Sequence, residues 1–274
     1  MSRIENALEK AIRQREPATT LNSPLVNEKE EVVTLPLKSK DPHVIRFTEQ
    51  DVHVAEEYRK LRSMILRLTK KQANQNTIMV TSAESGEGKS LTATNLALVL
   101  AQEFNHTVLL VDADLRRPAL HAFLGVETTL GLTDCLVDGI DVGRALTKTG
   151  IPKLTFLSAG RKTNRPAELL SSNKMKSLVH ELKHRYQDRY IIIDTPPILL
   201  FSETHAVSSY VDGILFVVKE GVASSSVRAA LDILKDVQIL GIVYNNANPE
   251  QLNGRYHHYY RYYNQHHKTS KKNG

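Results

Sequence analysis

Cysteine is nearly absent from this chain: Cys135 is the single one in 274 residues. That excludes an internal disulfide and fits a reducing compartment. Long apolar runs are missing as well. No stretch approaches the roughly 20 apolar residues that a membrane-spanning helix needs. The start, Met1-Ser2-Arg3-Ile4-Glu5-Asn6, has no apolar core of the signal-peptide kind. The expectation is a cytosolic protein. No internal repeat of about 20 to 50 residues is found. Acidic residues are scarce at the end, where Arg255, Arg261, Lys268, Lys271 and Lys272 face Glu250 alone. A short basic tail reads as solvated, and a charge count does not decide between that, an anionic membrane and nucleic acid. With 41% hydrophobic and 24% charged residues, the chain can bury a core. Its length allows one α/β domain with tails, or two small domains.

What is present falls into segments. Ile4, Ala7, Leu8, Ala11 and Ile12 recur at helical spacing, so residues 1–16 are expected to hold an amphipathic helix. Its apolar stripe must dock on protein or on a membrane surface. Four prolines between 17 and 44 interrupt any periodicity and mark a linker. The folded domain is expected over 45–248. It begins with a helix from about Glu49 to Thr69, on which Glu56, Arg59 and Arg62 step by three and share a face. Spacing alone favours a solvated charged face; the alternative is a self-complementary contact between subunits.

The domain is organised around Val80-Thr81-Ser82-Ala83-Glu84-Ser85-Gly86-Glu87-Gly88-Lys89-Ser90. An apolar run, Thr77 to Val80, leads in, and Leu91 to Glu103 reads as helix. Strand, glycine-rich turn, Lys-Ser and helix form the layout of a phosphate-binding loop. Its glycines let backbone N–H groups converge on phosphate oxygens, and the helix N-terminus adds its dipole. Ser85, Gly86, Glu87, Gly88, Lys89, Ser90 and Leu91 are the expected ATP-binding residues. Lys89 would reach the β- and γ-phosphates, and Ser90 would hold Mg²⁺. One position departs from the usual pattern, which has glycine where this chain has Ala83.

Behind the loop, strands at 107–111, 154–157, 189–193, 213–218 and 239–244 alternate with helices near 166–188, 202–210 and 224–237. Continuous apolar strands between amphipathic helices predict a buried, mainly parallel sheet in a three-layer α/β fold of the P-loop NTPase kind. Two strands end in acid. Val108-Leu109-Leu110-Val111-Asp112-Ala113-Asp114 places Asp112 at a strand end with Asp114 just beyond, and Ile191-Ile192-Ile193-Asp194 places Asp194 at another. One strand-end Asp is weak, because Asp commonly caps the following turn. Three beside a Gly-Lys-Ser loop point to ATP and Mg²⁺, with Ser90, Asp112 and Asp194 as metal holders.

Three segments, Ser85-Gly86-Glu87-Gly88-Lys89-Ser90, Asp112-Ala113-Asp114-Leu115-Arg116-Arg117-Pro118 and Asp194-Thr195-Pro196-Pro197, resemble the motifs of bacterial tyrosine kinases. These are P-loop autokinases of capsule and exopolysaccharide biosynthesis and export. The resemblance covers roughly residues 50 to 248 and continues into the tail. Pro166-Ala167-Glu168-Leu169-Leu170 is similar to another of the family's segments. Glu56, Arg59 and Arg62 match its subunit-contact motif. The resemblance therefore implies a ring-like homo-oligomer, in place of the solvated face that spacing alone favours. Partition and cell-division ATPases share such a sheet but carry a second lysine at the position of Glu84, which counts against them.

Residues 249–274 lack a core pattern and read as a flexible tail. They contain Tyr256, Tyr259, Tyr260, Tyr262 and Tyr263, half of the ten tyrosines, and the resemblance makes these the phosphate acceptors. Two other readings of the tail are weaker. His257, His258, His266 and His267 form two adjacent pairs without structural zinc spacing. Aromatics interleaved with arginine can stack on single-stranded nucleic acid, but no nucleic-acid partner is expected.

Phosphoryl transfer needs positioning and charge neutralisation, which assigns catalysis to Lys89, Asp112, Asp114 and Asp194. Asp112 or Asp114 would take the tyrosine proton; the resemblance prefers Asp112, and the residues themselves do not separate the two. The expected activity is a non-specific protein-tyrosine kinase acting on its own tail. The resemblance also implies a separate membrane polysaccharide co-polymerase that activates the chain and recruits it to the inner face of the membrane, and a tyrosine phosphatase. The competing expectation is an ATP-dependent switch that assembles a membrane complex without kinase activity.

Overall fold

The computed structural model describes residues 38–48, 52–70, 75–185 and 188–247. The expected helix at 1–16, most of the linker and the tail at 249–274 lie outside the described residues. All described residues belong to one compact unit.

The apolar runs become strands β1 (Thr77–Ser82), β2 (Thr107–Asp112), β4 (Leu154–Leu157), β5 (Arg189–Asp194), β6 (Gly213–Lys219) and β7 (Ile239–Asn245), joined by a short β3 (Leu146–Lys148). They form one seven-stranded sheet in the order β3-β4-β2-β5-β1-β6-β7. Every pairing is parallel except β3 with β4. All six residues of β1 are buried, as a central strand covered on both faces requires.

Side-chain alternation divides the core. Ile78, Val80, Val108, Leu110, Ile192, Leu215 and Val217 point to one face, and Met79, Leu109, Val111, Ile193, Ile214 and Phe216 to the other. The first face is covered by α1 (Val52–Thr69), α2 (Lys89–Ala101) and α3 (Leu120–Leu124). The second is covered by α4 (Leu132–Asp138), α5 (Val142–Ala145), α6 (Pro166–Leu170), α7 (Asn173–Arg185), α8 (Ser202–Ser208) and α9 (Ser224–Ile233). The three-layer expectation holds.

Two local features differ from the expectation. The helix predicted over 166–188 is two helices. Ser171 Oγ donates to the Ala167 carbonyl (2.7 Å) and Ser172 Oγ to that of Leu169 (2.6 Å), closing α6, while Ser172 Oγ also accepts from the Met175 N–H (3.2 Å) and opens α7. In addition, α3, α4, α5 and β3 are each too short to show periodicity. The register then builds the site: Asp194 lies beside Val80 on β1 and beside Asp112 on β2. Asp194 therefore stands next to the strand that feeds the glycine-rich loop, and Asp112 one strand further out.

Candidate functional site

The chain leaves β1 at Ser82, turns through residues 83–88 and enters α2 at Lys89. Gly86 and Gly88 have φ of 81° and 93°, a left-handed region that residues with a Cβ rarely enter. At Gly88 there is a second constraint, since a Cβ there would lie 2.0 Å from Asn245 Nδ2. Ala83 is fully buried in the second core and outside the left-handed region. Its methyl therefore has apolar packing, and the departure from the usual glycine is tolerated. Ser85 and Gly86 are exposed at the loop's tip, Ser90 is half-buried, and Leu91 packs its side chain on the first core. The Glu87 side chain is tied down between the loop and β6. It is 2% exposed and accepts hydrogen bonds from the backbone N–H groups of Glu84 and Lys219. Whatever Glu87 offers a phosphate must come from its backbone.

Lys89 lies among the carboxylates. Its Nζ is 2.8 Å from Asp114 Oδ2, 3.7 Å from Asp194 Oδ1 and 3.0 Å from Ser90 Oγ. Burial pulls its pKa down, but Asp194 and Asp114 outweigh this, so the net shift is upward and the ammonium is held charged. Burial raises the Asp194 pKa to about 6 against the pull of Lys89. Neither Asp194 oxygen has a hydrogen-bond partner among the described residues. A buried carboxylate eased only by the nearby Lys89 and Ser90 is costly, and a cation beside Ser90 would satisfy it. Asp112 differs. Oδ1 accepts from the Asp114 N–H, and Oδ2 accepts from those of Ala119 and Leu120 at the start of α3. Burial, then the neighbouring Asp194 charge, drives its pKa well upward. Both of its oxygens are thus already occupied in holding the loop that carries Asp114.

Glu203 and Asn245 belong to the site and carry no sequence signal. Arg116 pairs with the buried Glu203 at 2.5 Å and lies 4.4 Å from the centre of the Phe201 ring. This joins the Asp114 loop to the segment after Asp194. Asn245, at the end of β7, donates to the Glu87 carbonyl at 2.9 Å. Away from the site, Glu56 and Arg59 pair with each other on α1 at 3.2 Å, both substantially exposed. Arg62 is taken up within the same chain by Glu103 (2.9 Å) and the Val99 carbonyl (3.0 Å). The five tail tyrosines are outside the described residues.

A glycine-rich loop feeding a helix, a buried lysine behind it and strand-end acids beside it define a P-loop nucleotide-binding protein. Residues 78–270 match the family described as the CobQ/CobB/MinD/ParA nucleotide binding domain. The chain is 36% identical over 207 residues to tyrosine-protein kinase YwqD of Bacillus subtilis (strain 168), covering 74% of this chain and 85% of that protein. It belongs to that nucleotide-binding family and, within it, to the bacterial tyrosine-protein kinases. Tyrosine-protein kinase ptk of Acinetobacter johnsonii is 32% identical over 209 residues, or 76% of this chain but 27% of that longer protein. Among solved structures, the kinase domain of Escherichia coli tyrosine kinase ETK superposes with a TM-score of 0.64 at 28% identity, covering 73% of this chain and 80% of that one. A ParA family ATPase from Chlorobium tepidum TLS shares the fold at 23% identity, with a TM-score of 0.52 over 63% of this chain and 75% of that one. No described helix is long and apolar enough to cross a membrane.

Proposed function

We propose that this chain is an ATP- and Mg²⁺-dependent tyrosine autokinase that phosphorylates Tyr256, Tyr259, Tyr260, Tyr262 and Tyr263. The observation that carries the reading is the cluster at the loop: a charged, buried Lys89 facing two carboxylates, one of them without a well-formed hydrogen bond on either oxygen. The residues suit the nucleotide. The amides of residues 85–91 would cradle the phosphates, and Lys89 would exchange Asp114 for phosphate oxygens. Ser90 and Asp194 would hold Mg²⁺, which neutralises charge on the phosphates.

Tyrosine hydroxyls titrate near pH 10, so each acceptor arrives protonated. Asp114, 4% exposed and relieved of Lys89 when the lysine turns to phosphate, is the carboxylate left to take that proton. Asp112 keeps the Asp114 loop in place. Fully extended, 18 residues from 245 to 263 would span at most roughly 60 Å, enough for transfer within a subunit or to a neighbour in a ring. Glu56 and Arg59 are the exposed members of the ring contact, and Arg62 supports their helix from within.

Accumulated phosphates, about −1.5 to −2 charges each, would loosen such a ring, and a tyrosine phosphatase would restore it. The family resemblance of the three motifs extends the proposal to capsule or exopolysaccharide production, with a separate membrane co-polymerase as activator and anchor.

The test is incubation with ATP and Mg²⁺ together with the activator's cytoplasmic segment, followed by phosphosite mapping. Wild-type protein should gain phosphotyrosine in the tail, and Lys89→Met should lower it about a thousandfold. ATP binding with an unmodified tail would leave the switch in place of the kinase.

A further inference from the structure

A buried polar strut stands on the far side of the loop, away from the carboxylates. Glu87 is 2% exposed, and its two carboxylate oxygens receive different backbone amides: Oε1 that of Glu84 in the loop, Oε2 that of Lys219 (3.2 Å) at the end of β6. The Glu87 carbonyl accepts from Asn245 Nδ2 at the end of β7. The same Nδ2 fills the space that a Cβ on Gly88 would need. Glu220 N–H donates to the Asn245 carbonyl at 3.0 Å, which closes β6 and β7 around the contact. The loop that turns its amides toward phosphate is thus held from behind by two strand ends.

We infer that Glu87 and Asn245 are positioning residues that set the phosphate affinity of the loop and couple its occupancy to the chain leaving β7. The carboxylate absorbs two N–H groups of the loop and of β6, which fixes the direction of the remaining loop amides. Asn245 holds the Glu87–Gly88 peptide, whose φ of 93° at Gly88 directs the chain into α2. Beyond Asn245 the next residue, Asn246, has a φ of 55°, a conformation that asparagine accepts more readily than most side chains. The exit from β7 therefore has a defined direction, and it starts at the residue that grips the loop. Because coupling free energies are reciprocal, a ligand that tightens the loop also tightens this exit. The chain beyond it carries the tyrosines that the proposed function makes acceptors, and the inference rests on that reading only for the nucleotide bound.

The experiment measures, on the full chain, affinity for Mg²⁺–ATP, Mg²⁺–GTP and inorganic tripolyphosphate, and melting without ligand. The proteins are wild type, Asn245→Leu and Glu87→Gln. Asn245→Leu keeps the volume and removes the donor without adding charge. The expected result is a loss of about tenfold for all three ligands alike, with the melting temperature of Asn245→Leu nearly unchanged. Glu87→Gln, which turns an N–H donor toward a backbone N–H, should lose as much or more. Three outcomes overturn the inference: lower melting with unchanged affinities, loss confined to ATP with tripolyphosphate spared, which would make Asn245 a reader of the base, or no effect.

Hydrogen exchange on wild type supplies a test that needs no variant. Mg²⁺–ATP should slow the Lys219 amide and those of residues 245–247 more than amides in β4; equal protection throughout counts against the strut. If wild type binds no Mg²⁺–ATP, the nucleotide reading fails instead, and the two failures are distinct.

Discussion

Two aspartates at opposite ends of the sheet meet opposite fates. Asp212 precedes β6 at the strands' amino ends. It accepts the N–H groups of Asn76 and Thr77, both at 3.0 Å, and pairs with Lys183. Asn76 Nδ2 in turn donates to the Arg189 carbonyl at 2.8 Å, so the starts of β1, β5 and β6 are tied together. Asp194, at the carboxyl end of β5, has Lys89 at 3.7 Å and no hydrogen bond among the described residues. A satisfied carboxylate holds strands in register. A buried one with only a long ion pair and no well-formed hydrogen bond destabilises the free protein and favours whatever ligand satisfies it.

That contrast is open to direct attack, and the largest effect should come from Asp194→Asn. Mg²⁺-dependent ATP binding should weaken about a hundredfold, measured by titration with and without EDTA. The same variant should melt a few degrees higher without ligand at pH 7.5, by differential scanning calorimetry. The sign follows from linkage. The folded pKa of about 6 lies above the ordinary 3.8, so the fold binds this proton more tightly than the unfolded chain does. The stability from that proton is complete below the ordinary carboxylate range and is lost as pH rises through about 6. The wild-type melting temperature should therefore decline between pH 4 and 6 more steeply than that of Asp194→Asn.

At the other end the pattern should invert. Asp212→Ala leaves two N–H groups and Lys183 without their acceptor. It should cost about 2 kcal/mol, seen as a fall of several degrees in melting temperature, while ATP affinity per folded molecule stays within twofold. An Asp212→Ala protein with normal stability and impaired ATP binding would dissolve the distinction between the two ends.

The smallest effect is expected from Glu203→Gln. It removes the charge partner of Arg116 without emptying the buried space, so turnover should fall a few-fold, with ATP affinity nearly constant. A loss in affinity equal to the loss in turnover would place this contact in nucleotide binding instead of in holding the two acidic loops together.

Much of this was legible in the residues because short-range pattern carries it. Runs such as Val108 to Val111 and Ile191 to Ile193 are apolar at every position, and only a strand buried on both faces uses them so. Gly86 and Gly88 announced a turn that a Cβ would obstruct. The break at Ser171-Ser172 was hidden, because serine hydroxyls end one helix and start the next without interrupting the apolar spacing. Glu203 and Asn245 were invisible for a different reason. Their partners lie 87 and 158 positions away in sequence, and nothing local marks a side chain whose contact is made only by folding. Arg62 illustrates the same limit: it shares a helical face with Glu56 and Arg59, yet it is drawn against its own chain by Glu103 and Val99.

The sequence alone determined that this chain builds a phosphate-binding loop between a buried strand and a helix, with acids at neighbouring strand ends. Backbone conformation and strand burial depend on residues a few positions apart, and those are all present in the string. Only the tertiary structure decided what each acid touches. Asp112 spends one oxygen on the Asp114 N–H and the other on the start of α3, Asp114 takes Lys89, and Asp194 keeps only a longer ion pair with Lys89. The difference lies in which backbone N–H groups the strand order brings within reach of three chemically identical carboxylates.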